Sequence, residues 1–345
     1  MKVLVLSTMV PFVHGGAEEL FHNLVHNLKL TRGVEAEGFR IPFTWDPPEQ
    51  ILNEMQIARQ LRLWNVDRVI ALKFPTYLVP WKSKVVWLLH QFRQAYDLRD
   101  AGQSNLPFGG RGDVIASAVR AADNIAFAEA SAIFTNSPTT SGRLQKYNAF
   151  ASKILRPPLN DPDRFGGGDS QGYILATGRV NAAKRQYLLV SALKFAPGVR
   201  LVVAGPADTP ADQAVLEELA AKEGVSDRLR LELRFLQRAE LAELVNGAQA
   251  VAYLPYDEDS LGYCTMEALW ASKPVLTATD SGGVLDIVRD GETGLVVPPL
   301  PEALGAAMLS LSAGAELALR LGKSGRHAMV GAKLDWPSTI ERLLG

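Results

Sequence analysis

"RPPLNDPDRFGGGDSQGYILATGRVNAAKRQ", residues 156–186, decides how the chain is divided. Its first half, Arg156–Gly172, is rich in Pro, Gly and Asp and reads as a linker between domains. Its second half starts afresh. A short apolar strand, "YILATG", runs into a basic loop and then into a helix near Arg185–Phe195. The same alternation precedes the linker. "KVLVLST" is a β-branched and leucine-rich run that ends in "MVPFVHGG", and the amphipathic stretch "AEELFHNLVHNLKL" comes next. Further strands are expected at Asp67–Leu72, Lys84–Leu89 and Ala132–Thr135, with a helix over Asp113–Ala130. Each strand is short and almost continuously apolar, as strands buried on both faces are. After the linker, "RLVVAG", "LRLELRFL", "AVAYLP", "PVLTA" and "TGLVVPP" alternate with helices near Ala211–Lys222, near Ala239–Asn246 and from about Gly262. Such alternation implies parallel sheets covered on both sides. The expected organisation is two Rossmann-like α/β domains, residues 1–157 and 172–325, with a C-terminal helix over 326–345 packing back on the first.

The bulk numbers bound the function. A chain of 345 residues exceeds the usual size of one core, so two domains are expected from length as well. Its 47% hydrophobic and 21% charged residues are those of a folded globular protein. A formal net charge of -1 gives no global field toward nucleic acid, and no nucleic-acid partner is expected. The single Cys264 excludes an internal disulfide framework and a multi-cysteine zinc site, and it fits a reducing, cytoplasmic compartment. "MKVLVLSTMVPFVHGG" reads as a first strand rather than a signal peptide, and the chain has no run of about 18 apolar residues. Association with the inner face of a membrane stays open.

Four stretches carry candidate chemistry. "HGGAEE", His14–Glu19, places Gly15 and Gly16 between a strand and a helix, where a backbone can approach an anion. "ATGRVNAAKRQ" puts Arg179 and Lys184 in a strand-end loop and at the start of a helix, where two cations suit a diphosphate. "WLLHQF" ends a buried strand on His90, the position from which open α/β sheets contact ligands. "LPYDEDSLGYCTMEALWASKPVL", residues 254–276, gathers Asp257, Glu258 and Asp259 before a helix start and adds Glu267 within that helix. Carboxylates accept hydrogen bonds from the vicinal hydroxyls of a sugar. His22 and His26 have i,i+4 spacing but lack the glutamate of a zinc-binding helix, and no metal site is expected.

In this order the pieces resemble the retaining, nucleotide-sugar-dependent glycosyltransferases of family 4. The resemblance rests on "GGAEELFHNLVHNL", "GRVNAAKRQ", "VVAGP", "LRFLQRAELAELVNGAQAVAYLP", "DSLGYCTMEALWASKPVL" and "SGGVLDIVRDGETGLVVPP". It implies the GT-B fold, two Rossmann-like doubly wound domains facing across a cleft. It also implies a hexosyltransferase that takes a UDP- or GDP-linked sugar as donor substrate and needs neither cofactor nor metal. By the same resemblance, Gly15 and Gly16 approach the donor diphosphate, and Arg179 and Lys184 neutralise it. Phe235 and Leu236 line the nucleobase pocket, and Glu267 holds the ribose. Asp259, with the amides of Ser260, Leu261 and Gly262, faces sugar and phosphate, and His90 approaches the sugar. Asp259 stands where the family usually has Glu, and Glu258 and Asp257 compete with it for the register. The acceptor is unread: a glycan, a lipid or a small molecule. Arg93, Tyr96, Arg99 and Arg111 are either its anion contacts or a solvated loop. A sugar-nucleotide epimerase and a nucleotide-sugar-binding subunit without turnover are the alternatives.

Overall fold

The computed structural model describes residues 1–345. They form two compact units, Met1–Pro158 with Asp335–Gly345, and Leu159–Leu334. Each unit is built on one six-stranded parallel sheet.

The first sheet contains β1 (Lys2–Met9), β2 (Glu35–Pro42), β3 (Arg68–Ala71), β4 (Lys84–Leu88), β5 (Ala132–Thr135) and β6 (Lys153–Ile154). Their order is β2-β1-β3-β4-β5-β6. β4 is buried along its whole length, so a run without a polar face sits where helices cover both sides. β2 is the strand that composition conceals. "EAEGFRIP" carries two Glu, an Arg and a Gly, and most of it is exposed. It is an edge strand, held by in-register pairing with β1 from Lys2–Glu35 to Met9–Pro42.

The second sheet contains β7 (Tyr173–Thr177), β8 (Arg200–Ala204), β9 (Leu229–Glu232), β10 (Ala250–Ala252), β11 (Val275–Ala278) and β12 (Gly294–Val297). Their order is β12-β11-β10-β7-β8-β9. The strand order therefore reverses between β7 and β10. The intervening helices have clear stop and start signals. Pro210–Glu223 opens with reciprocal capping between Thr209 and Asp212 and closes at Gly224, whose φ of +65° suits a residue without a Cβ.

Two expectations need revision. Arg156–Gly172 is not a free linker. The crossing lies at Pro158–Leu159, and the residues beyond it are packed onto the second unit. Leu159 and Phe165 are buried in its core. The Gly167 amide donates to Asn246 Oδ1 (3.0 Å), and Lys273 Nζ donates to the Gly168 carbonyl (2.8 Å). The C-terminal return also starts later than residue 326. The helix Ala315–Gly331 stays in the second unit. The helix Trp336–Leu344 joins the first, burying Ile340 and Leu343 in one cluster with Leu20, Leu24 and Leu28. No single helix is long and apolar enough to cross a membrane.

Most of the basic residues considered for the acceptor are structural. Arg93 donates to Asp97 through Nε (2.8 Å) and Nη2 (2.6 Å). Arg99 is buried, bonded to the Leu106 and Pro107 carbonyls (2.9 and 3.2 Å), paired with Asp113, and stacked on Phe108. Tyr96 is fully buried, and its hydroxyl donates to Asp123 Oδ2 (2.8 Å). It also accepts from Asn148, which is bonded in turn to Gln91 and Asn124. Arg111, by contrast, is exposed.

Asp123 is enclosed on every side, and burial raises its pKa from 3.8 to about 7 against the opposing hydrogen bond from Tyr96. The folded state thus holds this proton more tightly than the unfolded chain does. The stabilisation is complete below the unfolded value and is lost as pH rises through about 7. Thermal melts of the wild type should show this loss between roughly pH 4 and pH 7, and Asp123→Asn should remove that part of the slope. Parallel pH profiles for the two proteins would refute it.

Candidate functional site

Parallel strands all end at one edge, and open α/β sheets bind ligands there, beside the point where strand order reverses. In the second sheet that point lies between β7 and β10. The loop after β7 carries Arg179 and Lys184, and the loop after β10 carries Asp259, Ser260, Leu261 and Gly262.

Neither cation stands in a helical turn, because the helix begins only at Gln186. Lys184 Nζ donates to the Tyr253 hydroxyl (2.9 Å) and is hydrogen-bonded to Glu258 Oε2. The same hydroxyl donates to Glu258 (3.0 Å). Burial first, and the Glu258 charge second, push the Tyr253 pKa well above the usual phenol range, which keeps that donor proton in place. Arg179 Nη1 lies 3.2 Å from both carboxylate oxygens of Asp208, in the loop after β8, and Asn181 donates to the same Asp208 (2.8 Å). Asn181 links the two groups, since its Oδ1 also accepts from the Lys184 amide (3.0 Å). The two cations therefore share one neighbourhood, but each is bound to a different acid.

Two glycines let these loops close up. Gly205 has φ +132°, and a Cβ there would stand 2.2 Å from the Gly178 carbonyl oxygen. Gly262 has φ +75°, and its Cβ would stand 2.6 Å from the Tyr253 ring. Only residues without a side chain fit these contacts. Arg185, itself at φ +57°, fastens the floor: it is bidentate to Asp280 (2.8 and 2.6 Å) and donates to the Leu254 and Pro255 carbonyls.

The remaining expected residues divide. Asp259 is buried at 7% exposure, beneath the loop surface. Leu261 is fully buried in the core, so only its backbone is available to a ligand. The Gly262 amide donates to the Ser260 hydroxyl (3.3 Å). Glu267 is 2% exposed and paired with Arg238. Arg238 is held by the Asn160 carbonyl (2.8 Å) and lies 4.6 Å over the Phe165 ring. Phe235 is exposed, while Leu236 packs against the core. Cys264 donates to the Thr177 carbonyl (3.3 Å), and burial, then Glu267, raises its pKa to about 11. It is a protonated thiol at neutral pH.

In the first unit, Gly15 and Gly16 stand at the start of the helix Gly16–Leu30. Glu18 and Glu19 already occupy its first turn and oppose a second anion there. His90 lies just beyond β4, with Nδ1 2.7 Å from the Gln91 carbonyl, so Nδ1 carries a proton. Sequence reasoning missed Tyr253, Asp208 and Arg238 and treated Glu258 only as a rival for Asp259. A phenol at the end of a buried strand and an acid in the strand-end loop "GPADTP" were the available signals.

Comparison with known proteins finds one family over part of the chain. Residues 161–328 match the family described as Glycosyl transferases group 1. The matched domain spans nearly all of the second unit. A D-inositol 3-phosphate glycosyltransferase of Mycobacteroides abscessus is 34% identical over 184 residues, covering 52% of this chain but only 40% of that protein. The enzyme of the same name from Nocardia farcinica is 28% identical, covering all of this chain and 83% of its own. Among solved structures, the sucrose-phosphate synthase of Thermosynechococcus elongatus superposes with a TM-score of 0.81 at 17% identity, covering 99% of this chain and 97% of its own. HepE of Anabaena, solved in complex with UDP-glucose, gives 0.70 at 16%, covering 100% and 98%. At such identities the likeness is one of fold, and the fold is the two-domain α/β arrangement of GT-B glycosyltransferases.

The Arg238–Glu267 pair makes a stability prediction. Removing Glu267 takes the nearer carboxylate from Arg238, which is 23% exposed and keeps Asp161 at 3.7 Å and the Asn160 carbonyl, so Glu267→Leu alone should cost about 1.5 kcal/mol in denaturant unfolding. The double variant Glu267→Leu/Arg238→Met should recover most of that loss. Equal destabilisation by the single and double variants would show that the pair is not the cause.

Proposed function

We propose that the chain is a retaining family 4 glycosyltransferase of the cytoplasm, moving a hexosyl group from a UDP- or GDP-linked donor to an acceptor hydroxyl without a metal ion. The observation that carries this reading is the placement of Lys184 and Arg179, with the Ser260–Gly262 backbone, beside the β7–β10 reversal of a group 1 domain. Breaking the donor's glycosidic bond leaves charge on the diphosphate. Fixed cations and helix-start amides are the groups that stabilise such charge. The neighbour bound to UDP-glucose supports a UDP donor. The inositol phosphate in the names of the relatives supports testing polyol phosphates among the acceptors.

The first experiment is a thermal-shift and turnover screen against UDP- and GDP-sugars. Lys184→Ala and Arg179→Ala should each lower turnover about 10²-fold or more while leaving the fold intact. Unchanged kinetics in both would remove them from the site. Turnover should persist in excess EDTA, and an activity restored only by Mg²⁺ or Mn²⁺ would overturn the metal-free scheme.

The two acids should separate by ligand. Glu267 is read as the ribose contact, so Glu267→Gln should weaken UDP binding roughly ten- to a hundredfold. Asp259 is read as facing the sugar, so Asp259→Asn should spare UDP binding and lower turnover. Calorimetry showing equal losses in both variants, or a loss in neither, would overturn these assignments.

A further inference from the structure

The loops that carry the two cations receive two acids to which the proposed transfer assigns no role. Glu258 reaches Lys184 from the loop after β10, and Asp208 reaches Arg179 from the loop after β8. Neither acid is placed by chance side-chain drift. The Glu258 backbone is pinned by its amide to the Ser281 carbonyl (3.3 Å) and by its carbonyl to the Gly283 amide (2.7 Å). The Asp208 amide donates to the Val180 carbonyl (3.0 Å), one residue beyond Arg179. Tyr253 ties the first pair into a three-membered cluster, and Asn181 ties the second.

We propose that Glu258 and Asp208 are resident counter-anions of the diphosphate site. Each holds one cation in place and is exchanged for phosphate oxygen when a nucleoside diphosphate binds, and together they set how readily it leaves. The inference rests on reading Arg179 and Lys184 as that site.

The charges make the case. Each cation is matched by one carboxylate, so an incoming diphosphate has to compete with that carboxylate for it. Side chains of Lys184 and Glu258 are 22% and 21% exposed, a setting in which screening by water is incomplete. Displacing each acid costs the entering anion part of its binding energy and returns it when the anion departs. A neutral amide in place of Glu258 would still accept from Lys184 and Tyr253, so it keeps the geometry and removes only the charge. This separates a counter-anion from a merely structural acid. Loss of a structural acid loosens the site, whereas loss of a counter-anion tightens it.

The test is calorimetry of the full chain with UDP and with pyrophosphate, on the wild type, Glu258→Gln, Asp208→Asn and the double variant, with thermal melts to show which are folded. Each folded single variant should bind UDP about tenfold more tightly, the double variant more tightly still, and binding should fall more steeply with added salt. Asp208 is the more exposed acid, so its variant decides if Glu258→Gln does not fold. Unchanged or weaker binding in every folded variant overturns the exchange. If neither the wild type nor any variant binds UDP or pyrophosphate, the reading of the site fails and the exchange fails with it. A wild type that binds beside variants that gain nothing sinks the exchange alone.

Discussion

Strand pairing between β7 and β10 is two residues long, Ala250 with Ile174 and Val251 with Leu175, and the site depends on what happens where it stops. A parallel ladder that ends so soon leaves the carbonyls of Leu254 and Pro255 beyond its reach. Arg185 satisfies both and grips Asp280 beyond β11 with the same guanidinium. One buried side chain thereby fixes the relative position of the loops after β7, β10 and β11. Its own backbone is left-handed, which ends the loop carrying Lys184 and lets the helix start one residue later. The chemistry proposed for Lys184 and Arg179 is possible only because Arg185 is committed to structure.

The deeper acid obeys a different logic. Glu267 lies on the buried face of its helix, where an unpaired carboxylate would lose its hydration without return. Arg238 supplies the counter-charge, and Phe165 and Asn160 hold Arg238 in turn. Phe165 and Asn160 belong to the stretch just past the crossing between units. That stretch is therefore part of the second unit's architecture: it forms a piece of the wall behind a candidate ligand-binding residue.

Much of the fold was legible because buried parallel strands leave an unmistakable imprint. "YILAT", "RLVVA" and "KVVWL" have no polar face, and the structure gives each of them two neighbouring strands. β2 was illegible for the converse reason, since an edge strand with exposed glutamates is specified by its partner rather than by its own residues. The Arg156–Gly172 stretch misled because Pro, Gly and Asp report local turns and are silent on whether Leu159 and Phe165 find a core. In the site, the loops and their cations could be read from position along the chain. The ion pairs could not. Asp208 and Arg179 are 29 residues apart, and Glu258 and Lys184 are 74 apart, so only the sheet order brings them together.

The diphosphate site proposed for Lys184 and Arg179 also has to persist while its ligand is away. Lys184 is half-buried against an aromatic ring, and Arg179 lies five residues before it in the same loop. Left alone, the two cations would repel each other and favour loop conformations that move them apart. Hydration is a poor remedy for Lys184, since the Tyr253 ring and the closely packed loops exclude water from one side of it. Carboxylates from neighbouring loops solve this at short range, and because they arrive from β8 and β10 they also draw those loops toward β7. The same acids then oppose the ligand. A site preorganised in this way gives up affinity to gain order in its empty state, and the compromise suits an enzyme whose charged product must leave before the next donor can enter.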